Sequence, residues 1–421
     1  MPLYCLFIAL LASAIFLIAL IRTNVALIIL IFSMLLSPEF KIGGIPGRAV
    51  VLRIDDILLF VVFFSWLAKM AINKELGLLK TTSLNRPILT YIFIGILATL
   101  LGAAQGYVNI KHGTFYLLKY IEYYLLFFMV VNNIRNLRQT KIFVFFLLLT
   151  CLLVSLYAWK NIGSGIRVTA PFEGKAGEPN TLAGYLLLMM GIVIGLLLYN
   201  ESPIQRFILL GLLAFIVAPF LFTLSRGAWL GFFPMYSALV LLSKRGRTAL
   251  LVTFLIVLVL SPFIIPKAVK QRVEETFVSG KTYTVFGRRI SFDESSVARI
   301  ETWKYALKKW SRRPFLGYGI PAGIIIDNQY ARILREVGII GFVAFAWLMA
   351  MIFRVGWQTY RTTEGNNFAQ GLSLGFIVGF IGLLTQALTA ETFIIVRIME
   401  PFWFLTAIVV MLPEISTPIQ K

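Results

Sequence analysis

Residues 181–199 read TLAGYLLLMMGIVIGLLLY, an uncharged run of nineteen residues in which apolar and polar side chains do not alternate. Such a run is long enough to cross the hydrocarbon core of a bilayer as a helix. A helix satisfies its backbone hydrogen bonds within the segment, whereas a barrel strand would show alternation. The stretch therefore predicts a transmembrane helix.

Similar runs fill most of the 421-residue chain, which is 59% hydrophobic. We predict an all-α, polytopic helical membrane protein with about 12 transmembrane helices, since each needs roughly 20 apolar residues. The first run lacks a basic leader region, so we interpret it as a span and not as a signal peptide. The predicted spans, some of them short, are 3–21, 25–37, 55–72, 87–104, 114–133, 142–159, 181–199, 207–223, 228–243, 248–265, 337–354, 371–390 and 401–413.

Residues 266–336 interrupt this pattern with a polar segment that carries fourteen Lys/Arg and seven Asp/Glu. The chain thus divides into an N-terminal transmembrane part (1–265), a long loop with a catalytic or lid role (266–336), and C-terminal helices with a short tail (337–421). Short loops rich in Lys/Arg mark the cytoplasmic side, and here they are 74–86, 135–141 and 244–247. Alternating sides from these loops predicts that 160–180, 225–227 and 266–336 share the outer face.

Cysteine and histidine are scarce, with two and one residues in the whole chain. Cys5 and Cys151 both fall in apolar spans, and His112 stands alone in a short loop. We therefore expect neither a disulfide framework nor a Cys/His metal site. No cofactor, metal or nucleic-acid partner is expected.

Arg226 stands between two predicted spans, in the segment TLSRGAWLG (223–231). An arginine at a membrane boundary is costly unless it is solvated or paired, so it is a functional candidate, with a snorkelling interface residue as the alternative. Gly227 would let the chain turn tightly and let a ligand approach. Arg167 is predicted on the same face, and Asn180 is interpreted as an N-cap whose helix terminus would favour an anion.

The long loop contains a predicted amphipathic helix over 297–312. Its apolar side, with Trp303 and Trp310, is suited to the lipid headgroup level. The segment RPFLGYG (313–319) then predicts a plain turn.

The segment DNQYARILREVG (327–338) leads into the next predicted span. In a helix, Asn328, Arg332, Arg335 and Glu336 would share one polar face. The alternative is a capped helix with an exposed Arg332–Glu336 pair of little energetic weight. Asp327 could be that cap or a general base. Within another span, Lys119 and Glu122 are most simply a buried neutralising pair.

Taken together, these motifs resemble the O-antigen ligase and O-antigen polymerase superfamily of membrane glycosyltransferases. The resemblance rests on their order between about residue 45 and residue 350: LRIDDIL (52–58), Arg167 before Pro179, Asn180 and Ala183, SRGAWLG (225–231), Trp303 before PFLGYG (314–319), and Asn328 and Tyr330 before Glu336 and GIIG (338–341).

This resemblance implies a glycan donor carried on undecaprenyl pyrophosphate at the outer face of the bacterial cytoplasmic membrane. The acceptor would be another lipid-linked glycan for a polymerase, or a lipid A core, lipid or protein for a ligase. It also implies membrane lipids and a chain-length regulator as partners. Donor contacts are expected from Arg167, Arg226 and Arg299, with Arg288 or Arg289 as alternatives, and further substrate contacts from Asn328, Arg332 and Asn180.

One departure concerns the acceptor. Ligases of this superfamily usually have a histidine where this chain has Asp327, and a carboxylate is normally the weaker base. The resemblance therefore favours an inverting, metal-independent polymerase in which Asp327 or Glu336 orients or deprotonates the acceptor and Arg226 stabilises the leaving group. A ligase is the alternative. A small-solute or bicarbonate transporter is less favoured, because transporters place ionisable groups near the midplane.

Overall fold

The computed structural model describes residues 13–45, 48–75, 79–173, 177–278, 282–285, 288–291, 293–321, 323–324 and 326–416. Its helices are α1 (13–21), α2 (Thr23–Leu36), α3 (Ile54–Ile72), α4 (Asn85–Ala104), α5 (Ile110–Asn133), α6 (Leu137–Lys160), α7 (Pro179–Tyr199), α8 (Pro203–Phe222), α9 (Arg226–Leu242), α10 (Arg247–Ile264), α11 (Lys267–Val278), α12 (Glu294–Trp310), α13 (Gln329–Thr362), α14 (Asn367–Gln386) and α15 (Val396–Ser416). A 3-10 turn covers Thr392–Ile394. Two antiparallel hairpins pair β1 (Glu39–Ile45) with β2 (Arg48–Arg53) and β3 (Thr282–Val285) with β4 (Arg288–Ser291).

The predicted all-α polytopic class is confirmed. Eight of the described helices, α4 to α8 and α13 to α15, are long and apolar enough to cross a membrane. This is fewer than the predicted number of about 12, because a span needs roughly 20 residues and several apolar helices are shorter. Two of these, α2 and α9, have 14 and 17 residues. The predicted span 3–21 lies partly outside the described residues.

The best-covered of the candidate spans is α7, which packs closely against α14 and α8. Glycines make this approach possible: a Cβ on Gly195 would lie 2.3 Å from the carbonyl oxygen of Gly371, and one on Gly191 would lie 2.8 Å from that of Gly375. Small residues commonly bring membrane helices together in this way. The N-terminus of α7 is fixed by a separate contact, in which Nε2 of Gln386 on α14 donates to the carbonyl oxygen of Asn180 at 2.9 Å.

A buried charge cluster joins α3, α5 and α15. Arg53 pairs with Asp55 and, at 3.3 Å, with Glu400. The predicted pair between Lys119 and Glu122 is present at 3.8 Å. The nearer partner of Lys119, however, is Asp56 on α3. These contacts hold three separate helices together.

Arg397, at the start of α15, fixes the loop between α6 and α7. Its Nη1 donates to the carbonyl oxygens of Leu35 and Pro171 at 2.9 and 2.8 Å. Its guanidinium also pairs with Glu39 at 3.1 Å and lies 3.9 Å from Glu173. The loop that carries Arg167 is therefore attached to the start of α15 and, through Arg397, to the end of α2.

The polar segment after α10 folds onto the bundle. Trp303 of α12 packs against a small apolar cluster of Ala306, Ile326 and Ala331, the last of which lies on α13. The Nε1 atom of Trp303 donates to the carbonyl oxygen of Asp327 at 3.2 Å. Trp303 is therefore half-buried, because the chain that follows α12 returns to contact it. Its predicted location at the headgroup level stays a prediction.

The segment 313–319 is more than the predicted plain turn. Gly338 breaks α13 with φ of 66° and ψ of −166°. The backbone N–H groups of Tyr318 and Gly319 donate to the carbonyl oxygens of Arg335 and Glu336 at 2.9 and 2.8 Å. Carbonyl groups near the break are thus satisfied by protein, as an interrupted membrane helix requires.

Candidate active site

Arg226 is the first residue of α9 and points toward the polar segment. Its Nη1 donates to Oγ1 of Thr276 on α11 at 2.6 Å, and its Nη2 donates to Oδ2 of Asp293 at 2.9 Å. The preceding turn ends α8 at Thr223 and has Leu224 at φ of 51°. The predicted turn role of Gly227 is therefore wrong. Gly227 lies inside the helix, where a Cβ would be 1.8 Å from Oγ1 of Thr389.

Arg167, in the loop between α6 and α7, contacts the turn that precedes Arg226. Its Nε donates to the carbonyl oxygen of Thr223 at 2.9 Å. Its Nη2 is 3.4 Å from Oδ1 of Asn180, and that same oxygen accepts from Oγ of Ser225 at 2.8 Å. Asn180 therefore connects the Arg167 loop with the start of α9.

The predicted N-cap role of Asn180 is wrong. α7 begins at Pro179, and Glu178 occupies the cap position without a side-chain hydrogen bond to the helix. Proline is well suited to the first helical position because its φ angle is already helical and its missing N–H is not needed there. Asn180 thus lies inside the first turn, and its side chain is available for the contact with Arg167.

Arg299, on the second turn of α12, pairs with Asp327. Its Nε lies 3.3 Å from Oδ2 of Asp327, whose side chain is 40% exposed. Asp327 does not cap α13. That role belongs to Asn328, whose Oδ1 accepts from the N–H of Ala331 and whose Nδ2 donates to the carbonyl oxygen of Leu388, both at 2.9 Å. Asn328 thus anchors the start of α13, and Asp327 remains open to solvent.

Four guanidinium groups meet in this region. Burial first, and then the positive charges of Arg272, Arg299 and Arg226, lower the pKa of Arg167 to about 10. Among the described residues, Arg167 forms no ion pair, and Nε of Arg272 is buried without a hydrogen-bond partner. Clustered cations with unused donors form a site to which an anion is attracted.

Asp293 holds part of this cluster in place. Burial acts to raise its pKa, but hydrogen bonds from Arg226 and Ser296 outweigh burial and hold the pKa below its usual value. The Oδ1 atom accepts from the backbone N–H of Ser296 at 3.2 Å, so Asp293 is also the N-cap of α12. One carboxylate therefore orients both Arg226 and the helix that carries Arg299.

Arg332 and Glu336 lie deeper, inside the bundle. Arg332 Nε donates to Oε1 of Glu336 at 2.9 Å, its Nη1 lies 2.5 Å from Oε2 of Glu391, and its Nη2 donates to the hydroxyl of Tyr120 at 3.1 Å. The side chains of Arg332 and Glu336 are each 4% exposed, so the alternative of an exposed pair is wrong. Arg288 and Arg289 lie on β4, with side chains outside the described part of the structure.

Sequence reasoning missed three of these residues. Arg272 and Thr276 are four apart on α11, a spacing that places both on one helix face. Asp293 precedes an apolar-periodic run and carries the signal of an N-cap. These residues converge on Arg226 because of the way the polar segment folds, and the spacing of residues in the sequence does not predict that fold. In the part of the chain that the structure describes, no group of three or more His, Cys, Asp or Glu side chains could hold a metal ion.

The fold thus defines a multi-pass helical membrane protein, and a cluster of arginines lies at one end of its bundle. Residues 210–346 match the family model of the O-antigen ligase. The match confirms the resemblance to the O-antigen ligase and polymerase superfamily and supports glycosyl transfer of that type. It includes Arg226, Arg299 and Asp327, while Arg167 and Asn180 reach the site from outside it. A comparison with curated proteins found no match.

Proposed function

We propose that the protein is an inverting glycan polymerase of the bacterial cytoplasmic membrane, with its site on the outer face. Its donor would be an oligosaccharide on undecaprenyl pyrophosphate, and its acceptor a growing surface glycan. The observation that carries the proposal is a convergence of arginines. Arg167 contacts the turn before Arg226, and Arg226 binds Thr276 and Asp293, which bring α11 with Arg272 and α12 with Arg299 to the same place. Planar guanidinium groups bind phosphate oxygens through paired, charge-assisted hydrogen bonds without a metal ion.

In the proposed reaction, an acceptor hydroxyl oxygen forms a bond to the anomeric carbon as the bond to the pyrophosphate oxygen breaks. The leaving lipid pyrophosphate keeps the electron pair, and its negative charge is stabilised by Arg167, Arg226 and Arg299. No ATP is needed, since the bond to pyrophosphate supplies the driving force. A chain-length regulator and membrane lipids would be further partners.

The hydroxyl proton would pass to Asp327. This residue is preferred to Glu336 because its side chain is 40% exposed, whereas the Glu336 side chain is 4% exposed and bound to Arg332. Arg299 holds Asp327 in the absence of donor. When Arg299 binds phosphate, the Asp327 carboxylate becomes available to the acceptor. Glu336 would then act by positioning Arg332.

The test is Arg226→Ala in a strain that lacks the chromosomal gene, followed by electrophoresis of the surface glycan. We expect the ladder of long chains to collapse while the variant protein remains in the membrane. Arg312→Ala, which removes an exposed arginine just after α12, is the matched control and should leave the ladder unchanged. A normal ladder with Arg226→Ala would contradict the proposal.

The second candidate is a ligase, favoured by the O-antigen ligase match over residues 210–346. The two activities leave different products when they are lost. Loss of a polymerase leaves single repeats, whereas loss of a ligase leaves long chains still attached to the lipid carrier. Analysis of the lipid-linked fraction of the Arg226→Ala strain therefore decides between them.

A further inference from the structure

A second cationic site lies at the far end of α12. A cavity of about 130 Å³ is lined by Tyr107, Lys309, Tyr318, Pro321 and Arg335. Lys309 is ten residues after Arg299 on the same helix. At 1.5 Å per residue this separates the cavity from the arginine cluster by about 15 Å.

Arg335 is the unusual residue of this cavity. It is 8% exposed, and among the described residues its Nε and Nη1 atoms have no hydrogen-bond partner. Its guanidinium carbon lies 5.1 Å from the ring centre of Tyr305. A buried cation with unmade hydrogen bonds is costly unless a ligand supplies them. The side chain is therefore suited to an anion that enters the cavity.

Aromatic rings and further cations surround Arg335. Lys309 Nζ lies 6.0 Å from the ring centre of Tyr318, and the guanidinium of Arg313 lies 4.2 Å from that of Tyr107. In the described part of the chain, neither Lys309 nor Arg335 forms an ion pair with a carboxylate. The site thus combines positive charge with the flat apolar faces of two tyrosines.

We propose that this cavity binds the negatively charged substituent, carboxylate or phosphate, of an acidic sugar in the acceptor glycan. The inference rests on the proposed glycan transfer and specifies its substrate class. Arg335 and Lys309 would bind the anionic group, and Tyr107 and Tyr318 would contact the sugar ring. Because a water molecule occupies about 30 Å³, the cavity has room for one such group and not for a whole oligosaccharide.

The test measures binding to the purified full-length protein in detergent by calorimetry. The probes are trigalacturonic acid and its uncharged methyl ester. We expect the acid to bind about tenfold more tightly than the ester, a difference typical of charge-assisted contacts. Arg335→Met should abolish this preference, and Arg335→Lys should retain part of it.

Control variants distinguish loss of binding at this cavity from misfolding and from effects on the donor site. Lys309→Met should weaken binding of the acid, whereas Lys308→Met, its exposed neighbour on α12, should not. Thermal unfolding of each variant checks its fold; Arg335→Met should remain folded because it removes an unpaired buried charge. Arg226→Ala should bind trigalacturonic acid normally, so failure of the proposed transfer would leave this result intact.

Equal affinity for acid and ester, or normal acid binding by Arg335→Met, would overturn the inference. A phospholipid headgroup is the other source of an anion. Native mass spectrometry of protein from nanodiscs with phosphatidylglycerol tests this source. The saccharide assignment would be overturned if the protein retained this lipid only when Arg335 was present and did not bind trigalacturonic acid. The cavity would then be assigned to lipid.

Discussion

The guanidinium of Arg226 and the carboxylate of Asp293 are 67 positions apart in the chain and are joined by a hydrogen bond of 2.9 Å. The bond connects the start of α9 to the start of α12. Because Thr276 of α11 accepts from the same arginine, one side chain attaches two helices of the polar segment to the bundle. A phosphate bound by Arg226 would compete with Asp293 for the same donors.

Asp293→Ala should lower kcat for glycan transfer by about tenfold or more, the range expected for loss of a hydrogen bond to a charged group. Arg226 would lose its orientation, but it would also lose a competing carboxylate, so KM for the donor should not rise. The measurement is transfer of a defined lipid-linked repeat in proteoliposomes. Glu294→Ala, the exposed neighbour, is the control. A raised KM with unchanged kcat would contradict the positioning role.

Gly338→Ala should strongly reduce the amount of folded protein. With φ of 66° and ψ of −166°, Gly338 occupies backbone space that is essentially restricted to glycine. A Cβ there would lie 2.2 Å from the carbonyl oxygen of Phe315, which accepts from Ile340 N–H and cannot easily move. Membrane abundance and thermal unfolding in detergent measure the effect. Gly365→Ala, also at positive φ but in open space, should cost much less; equal losses would refute the packing argument.

Gly195→Leu should separate α7 from α14 and destabilise the bundle. Its Cβ would lie 2.3 Å from the Gly371 carbonyl oxygen, and backbone atoms cannot yield as a side chain can. Gly211→Leu on α8 is the control, since a Cβ there has nothing within 4 Å and leucine favours helix more than glycine. Thermal unfolding should show a large decrease for the first variant and none for the second. Similar curves would show that the contact does not support the fold.

Hydropathy predicted the architecture because membrane spans are long, local and chemically uniform. Arg226 could be singled out for a related reason, as a charge at a membrane boundary needs a local explanation. By contrast, the roles of Asp293 and Arg272 depend on contacts between segments far apart in the chain. The periodicity of a sequence indicates local structure and does not indicate such contacts.

At two positions the residue type alone did not determine the backbone conformation. Asn180 has the residue type of an N-cap, but α7 starts at Pro179 with Glu178 at the cap position, two positions earlier than predicted. Gly338 lies in an apolar stretch that continues a helical pattern, and its positive φ is set by the packed segment 313–319. At both positions, the neighbouring residue or the packing of a distant segment determines the backbone conformation, and residue type alone does not.

Glu173 should make stability depend on pH. Burial raises its pKa to about 8, against an ordinary value of 4.5, and outweighs the opposing charge of Arg397. For an acid with a raised folded pKa, the contribution to stability is complete below about 4.5 and is lost as pH rises through about 8. The unfolding temperature of the wild type should therefore fall more steeply from pH 5 to about pH 8 than that of Glu173→Gln, which cannot ionise. Glu75→Gln, at an exposed site outside this loop, should follow the wild type. Parallel curves for wild type and Glu173→Gln would show that Glu173 does not titrate in this range.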